Sequence, residues 1–287
     1  MKGSSRALIT NALLFLVLST YSTTAGALET TQRRAADIAK PEALRSFFPV
    51  FEDPSETERT AALESCDQLF DRQAYDAARR KLEGLLKQDP NDVEVLWRLS
   101  NHAINDGDAA TDPDRQKRYF KKAVAYAERA VKADNNSGFA HAYLAASYGS
   151  YAMFAGGEEK VKLANRIRDE LDVALKLDPD NQVAHTIYGT WHREVADVSW
   201  IERQLANMFL GSMPDGSIEE SVSHLKKAIQ VGPTVLRHRY ELGLTYAAAG
   251  RDKEAAEAFR AAFKCPNGWR IDPIRRIRMR DWLSDNN

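Results

Sequence analysis

The sequence predicts an all-α protein, an α-solenoid of stacked helix pairs, and three observations lead to that prediction. The chain of 287 residues holds 41 alanines but only 15 glycines and 10 prolines, a composition that favours helices over a turn-rich β fold. Hydrophobic residues make up 44% of the chain, too many for a disordered protein. One sequence pattern also recurs several times along the chain.

A stretch that ends one helix and begins the next occurs four times. In the clearest copy, an amphipathic stretch runs into Asp178 and Pro179. Proline suits this place because it cannot continue a helix, yet it is tolerated in the first turn of the next one. The four stops lie at residues 85–91, 130–136, 174–180 and 228–233.

The last repeat carries the most complete pattern. Leu242 and Tyr246 share one face of its first helix, and Gly243 lets a second helix approach closely. The facing stripe of that second helix is Ala255, Phe259 and Ala262. From Pro233 to the matching stop at Asn267 is 34 residues. This unit resembles the tetratricopeptide repeat, two antiparallel helices in 34 residues.

About five such units are expected, and the middle three are longer than the standard repeat. The spacings from stop to stop are 45, 44 and 54 residues before the final 34. We expect the extra residues between the two helices of each unit, at 105–114, 149–159 and 196–217. The repeat domain is predicted at 59–268, after a lead-in segment at 28–58. A C-terminal helix and tail at 269–287 would cap the solenoid.

The N-terminus has the order of a secretory signal peptide. Lys2 and Arg6 precede a seven-residue apolar run at 12–18, and small residues at 25–27 follow. That run is shorter than the roughly 20 residues of a membrane span. We therefore predict a signal peptide at 1–27, cleaved near Ala27, and an exported protein, periplasmic or secreted. The alternative is an uncleaved N-terminal segment that acts as an anchor.

Three local motifs narrow the family. The second unit opens with Val-Leu-Trp-Arg-Leu at 95–99, and the fourth contains Gly-Thr-Trp at 189–191. The long insert reads Ala-Asp-Val-Ser-Trp-Ile-Glu-Arg-Gln-Leu-Ala at 196–206, with Met-Phe at 208–209 and then Pro214. From about residue 61 to 264 the chain resembles the regulator of microtubule dynamics family.

That resemblance implies a helical-repeat interaction surface. Animal members of the family are associated with microtubules, spindle poles and mitochondrial or reticular membranes. A microtubule- or organelle-membrane-associated adaptor is therefore the alternative function. A chain exported from a bacterium never meets tubulin, so the resemblance carries over the fold better than the function.

The candidate binding surface is the concave groove, which the first helix of each pair lines in tetratricopeptide proteins. Equivalent repeat positions predict the partner-binding residues Trp97, Asn101, Arg193, Glu194, Arg237 and Tyr240. Exposed Trp, Tyr and Arg side chains are typical of interaction hot spots. Trp97 has a second interpretation, as a core residue between units. The Lys/Asn/Arg set that clamps a peptide carboxylate in co-chaperone repeats is incomplete, so a C-terminal peptide ligand is not predicted.

The sequence contains no motif that indicates an enzyme. No phosphate-binding loop, nucleophile elbow or zinc-protease helix is present, so we predict no catalytic residues and no cofactor. His185 and His192 lie two helical turns apart, about 10 Å, which is too far to share a metal ion. With 40 basic and 41 acidic residues, nucleic-acid binding is not expected.

Two further segments have alternative interpretations. The basic stretch 264–280 would contact an anionic partner or form the terminal cap, and we favour the cap. The amphipathic insert 200–213 would lie on a membrane, receive a partner or fold back over the solenoid, and we favour the last. The predicted function is thus a non-catalytic scaffold or adaptor that binds a protein or peptide partner. Partner identity and oligomeric state are left open, and peripheral membrane contact remains an alternative.

Overall fold

The computed structural model describes residues 54–210 and 212–286, and these residues form twelve α-helices with no β-strand among them. The predicted signal peptide and residues 28–53 of the lead-in lie outside the described residues. The helices are α1 Pro54–Asp71, α2 Tyr75–Gln88, α3 Val93–Asp108, α4 Pro113–Ala133, α5 Gly138–Ala152, α6 Gly157–Leu177, α7 Gln182–Ala196, α8 Trp200–Phe209, α9 Ile218–Val231, α10 Leu236–Ala248, α11 Asp252–Ala262 and α12 Asp272–Asp285. No described helix combines the length and the apolar character needed to cross a membrane.

The helices follow one another as the pairs α1–α2, α3–α4, α5–α6, α7–α9 and α10–α11. The first helices of the middle pairs also pack in series, α3 on α5, α5 on α7 and α7 on α10. Each pair covers the apolar face that its neighbour cannot bury alone. The prediction of an all-α tetratricopeptide-like solenoid is confirmed.

Recurring polar residues at the stops have equivalent roles. At three stops an aspartate side chain accepts a hydrogen bond, at 2.9 to 3.2 Å, from the backbone N–H two residues later. These aspartates are Asp89, Asp134 and Asp178. Asp92 and Asn181 then cap the next helix by accepting bonds from its first N–H groups. The repeated phrase therefore terminates one helix and starts the following one.

Glycines allow the two helices of a pair to approach closely. A Cβ atom added at Gly243 would overlap the ring of Phe259, and one at Gly189 would lie 2.5 Å from Cγ of Leu225. Because neither distance leaves room for a side chain, glycine is required at both places. The role predicted for Gly243 is confirmed.

The inserts differ from the sequence prediction. The first two are mainly helical: α4 and α6 each reach 21 residues, and the connections at 109–112 and 153–156 are short. The third contains α8, whose start is fixed by a capping box between Ser199 and Glu202. Arg203 ties this insert back to the solenoid by donating to the carbonyls of Val195, at 2.8 Å, and Pro214, at 2.6 Å.

Candidate functional site

The first helices α3, α5, α7 and α10 line an inner groove, and its two halves differ. In the first half, residues 267–272 of the same chain contact side chains of the segment α1–α3. We call this the filled half. In the second half, between α5, α7 and α10, two cavities remain between the walls. We call this the open half.

Arg270 anchors the C-terminal segment in the filled half. Its backbone N–H donates to Oδ1 of Asn105 at 2.9 Å. Its guanidinium pairs with Asp76 at 2.7 Å and with Asp106 at 2.9 Å. The same group lies 4.6 Å from the ring centre of Tyr75. One side chain therefore connects the end of the solenoid to its first two helix pairs.

Trp269 is the apolar anchor of the same segment. Its half-buried ring meets Phe70 edge-on at 6.3 Å, and the guanidinium groups of Arg237 and Arg275 lie 5.2 and 5.9 Å from it. Asp272 accepts a hydrogen bond from the backbone N–H of Trp269 at 2.9 Å and so fixes the turn. The sequence signal for this contact is slight: one tryptophan after a Pro-Asn-Gly stretch.

Two of the predicted groove residues do not line the open half. Trp97 is only 9% exposed, and its ring is stacked on those of Phe139, at 5.0 Å, and Tyr143, at 5.2 Å. Trp97 is therefore a core residue between units, the second of its two interpretations from the sequence. Asn101 is partly buried and lines neither cavity of the open half.

The open half holds an apolar cavity of about 600 Å³ and a charged cavity of about 350 Å³. The predicted residues Glu194 and Arg237 line the apolar cavity, and Arg193, Arg237 and Tyr240 line the charged one. Both cavities share the wall residues Gly149, Ser150, Met153, Thr190 and Arg237, so they lie next to each other.

Sequence reasoning missed the wall that α5 contributes. Ala146, Gly149, Ser150 and Met153 all line the apolar cavity. Their spacing of three, four and seven residues places them on one face of α5. The pattern of small residues was available in the sequence. That pattern did not predict a cavity, because a small side chain indicates close helix packing as often as a cavity wall.

Arg193 is fully paired within the open half. Its Nη2 lies 2.9 Å from Oε2 of Glu241 and 3.0 Å from Oε1 of Glu194. Burial alone would lower the pKa of Arg193, but the two glutamates outweigh burial and raise it. Burial would likewise raise the pKa of Glu241, yet Arg193 and then Arg237 lower it overall. The pair is charged and mutually stabilising.

Arg237 is differently placed. Among the described residues, its nearest carboxylate oxygen is Oε1 of Glu241, at 4.0 Å. Burial and then repulsion from Arg275 lower the pKa of Arg237 despite the nearby acids. The charge of this partly buried arginine is thus incompletely compensated by the acids around it.

Three of the six histidines, His185, His192 and His224, form a cluster that lines neither cavity. His185 and His224 face each other with Nδ1 atoms 2.9 Å apart, and Tyr188 stacks on His224 and on His192. In the part of the chain that the structure describes, no group of three or more His, Cys, Asp or Glu side chains converges on a metal position.

Comparison with known proteins agrees with the fold and the repeat pattern. The family model "Regulator of microtubule dynamics protein 1-3" matches residues 62–285. Regulator of microtubule dynamics protein 1 of Bos taurus is 27% identical over 198 residues, 68% of this chain and 61% of the bovine protein. The protein of the same name from Pongo abelii is 26% identical over 213 residues, 73% of this chain and 68% of that protein.

A solved structure supports the fold independently. A thermophilic TPR protein of Thermus thermophilus matches with a TM-score of 0.55 and 20% identity, over 78% of this chain and 98% of that one. The sequence match to the bovine relative described above covers about three fifths of that protein. The family model covers most of this chain. The chain belongs to the regulator of microtubule dynamics family.

Proposed function

We propose that this protein is a non-catalytic interaction adaptor that holds a segment of a partner protein in the open half of its inner groove. The observation that carries the proposal is the contrast between the two halves. The filled half already holds a chain segment by one aromatic ring, three hydrogen bonds to the segment's backbone and arginine ion pairs. The open half offers the same kinds of side chain around a cavity of about 600 Å³.

The size and lining of that cavity fit a binding role. Binding pockets in proteins typically measure roughly 300–1,000 Å³ and combine apolar walls with a few polar groups. Ile187 and Trp191 belong to the apolar wall, and Glu194 and Arg237 supply polar groups. These groups recognise and orient a partner, and the proposal assigns them no bond-making step.

A cross-linking pull-down from the native compartment tests the proposal. Gly149 lines both cavities, and a Cβ atom added there meets no atom within 4 Å, so Gly149→Trp should fill the groove without a clash at its base. Gly84 is also a helical glycine with open space, but it lines neither cavity. We expect Gly149→Trp to lose the partner and Gly84→Trp to keep it. Equal recovery by the two variants would show that the groove assignment is wrong.

The second candidate is a microtubule- or organelle-membrane-associated adaptor. Family membership supports this function, since the curated relatives are regulators of microtubule dynamics by name. Co-sedimentation with polymerised tubulin tests it directly. Wild-type protein in the pellet would favour this role, and protein that stays in the supernatant at all tubulin concentrations would exclude microtubule binding.

We also propose export, on the signal-peptide pattern of residues 1–27. Mass spectrometry of the protein from its native source gives the test. A mature N-terminus at Leu28 is expected, and an intact N-terminus at Met1 would instead support the anchor.

A further inference from the structure

The walls of the two open-half cavities carry an excess of positive charge. Three acidic side chains line them, Asp108, Glu194 and Glu241. Five basic side chains line them as well: Lys160, Arg193, Arg237, Arg275 and Arg278. The whole chain, by contrast, has 40 basic and 41 acidic residues. The excess is thus a local property of this surface and favours an anionic occupant.

Among the basic residues of this set that are not exposed, Arg237 has the weakest acid contacts. Arg193 has carboxylate oxygens at 2.9 and 3.0 Å, and Arg275 has one at 2.8 Å from Asp272. The closest carboxylate oxygen described for Arg237 is 4.0 Å away, on Glu241, which is already paired with Arg193. The Nε atom of Arg237 is buried and makes no hydrogen bond. A partner carboxylate that reaches the accessible part of the guanidinium would supply a closer acid contact.

Apolar walls adjoin this cation. Arg237 shares the larger cavity with Val161, Ile167, Ile187, Trp191 and Met213. Water is scarce next to such walls, so an ion pair formed there is stronger than one on an open surface. A ligand that reaches Arg237 through this cavity would also place apolar atoms in it.

We propose that the partner segment carries an Asp or Glu side chain next to a large apolar side chain, and this inference rests on the function proposed above. The carboxylate pairs with Arg237, and the apolar side chain enters the cavity between α5, α6 and α7. A peptide segment is favoured because Arg237 lines both cavities, and the charged cavity is also lined by the exposed Arg278. The filled half holds its own segment by the same combination, an aromatic ring beside a charged residue.

Selection from a displayed library of random 12-residue peptides, on the full chain, tests the proposal. Selected peptides should contain an acid within two residues of Trp, Phe, Leu or Met. Changing that acid to its amide should weaken binding to the wild-type protein by about tenfold or more, the value of a charged hydrogen bond. The same change should have little effect on binding to Arg237→Met. This double-mutant cycle isolates the pair.

Substitutions that fill the cavity distinguish the proposed groove function from the proposed acidic chemistry of the partner. Gly149→Trp should abolish binding of the selected peptides, while Gly149→Ala and Gly84→Trp should keep it. Ala164→Phe narrows the same cavity from α6 and replaces Gly149→Trp if that variant does not fold. If the plug abolishes binding but the acid and Arg237 make no difference, the acidic chemistry is wrong and the groove function stands. If no selected peptide responds to either plug, both proposals are wrong.

Discussion

The filled and open halves of the inner groove differ in how closely their arginines are paired with acids. In the filled half, Arg270 lies between Asp76 and Asp106, and Arg79 lies near the same two acids. In the open half, Arg237 lies 4.0 Å from its nearest described carboxylate oxygen. The repeat determines where a side chain projects, and the residues outside the repeat pattern determine whether its charge is matched.

The comparison also distinguishes charged side chains that are paired within the fold from one that a partner could pair with. Arg270 holds the end of the chain on its beginning, so its acids belong to the fold. Arg193 and Glu241 pair with each other inside the open half, so their charges also belong to the fold. Arg237 is the residue whose removal should affect binding more than folding. Four predictions test this distinction, from the largest expected effect to the smallest.

Replacing Arg193 should produce the largest loss of stability. Arg193→Met leaves Glu241, whose side chain is 9% exposed, without its closest cation. Breaking a buried ion pair in this way costs about 3–5 kcal/mol. Urea unfolding measures the change, with Arg168→Met as the control, since Arg168 pairs with Asp169 at the surface. Equal losses in the two variants would mean that the Arg193–Glu241 pair contributes nothing special.

Acid should destabilise the open half through buried histidines. Burial, and then the neighbouring Arg237, lower the pKa of His238 to about 3. The unfolded chain titrates near 6.5, so it binds more protons below that pH, and stability falls as pH drops from 6.5 towards 3. His238 alone accounts for a loss on the order of 3 kcal/mol by pH 4.

Melting temperatures across this range check the prediction. The His238→Gln variant should show a flatter pH dependence than wild type. Burial also lowers the pKa of His224, to about 4, and that of His102 in the filled half, to about 4. With two such histidines beyond α7 and one on α3, hydrogen exchange at pH 5 should rise first in α9 and α10. A uniform rise along the chain would contradict this order.

Removing the aromatic anchor should loosen the filled half. Trp269→Ala is expected to cost about 2 kcal/mol, less than the 3–5 typical of a fully buried tryptophan, because the ring is half-buried. Hydrogen exchange should increase in α1–α3. Trp282→Ala is the matched control: that half-buried ring packs on Phe259, so its loss should affect α11 instead. Unchanged exchange in α1–α3 would show that the segment does not support this half.

Arg237→Met should change stability by no more than about 1 kcal/mol in either direction. The methionine keeps the apolar part of the side chain and removes a poorly compensated charge, an exchange that is often neutral. Urea unfolding beside Arg193→Met gives a direct contrast between two arginines of one groove. A loss as large as that of Arg193→Met would show that Arg237 is fully paired in the fold.

Much of the fold was predictable from local signals. The stops at Asp89, Asp134 and Asp178 were read as helix ends, and in the structure their side chains accept backbone hydrogen bonds there. The spacing between stops located the inserts but not their conformation. Of the first predicted insert, 105–114, residues 105–108 end α3, residues 113 and 114 begin α4, and only 109–112 connect the two helices. Phe120 of α4 packs against Gly107.

The groove residues were predicted by repeat position alone, with mixed outcome. Arg193, Glu194, Arg237 and Tyr240 line the open half. Trp97 lies in the core instead, because two aromatic rings from α5 stack on it. Repeat position specifies the face of a helix, and the side chains of the next unit specify whether that face is covered.

The sequence by itself determined the helix ends at the stops, the pairing of helices and the close approach at Gly243, because capping, proline stops and small residues act over a few neighbouring positions. Tertiary structure decided the rest. Gln73 and Asn267, 194 residues apart, are brought into hydrogen-bond contact, and Asp76 meets Arg270. Such contacts depend on the accumulated rotation of successive helix pairs, which no local pattern encodes. That rotation closes one half of the groove, leaves the other half open and separates Arg237 from a close acidic partner.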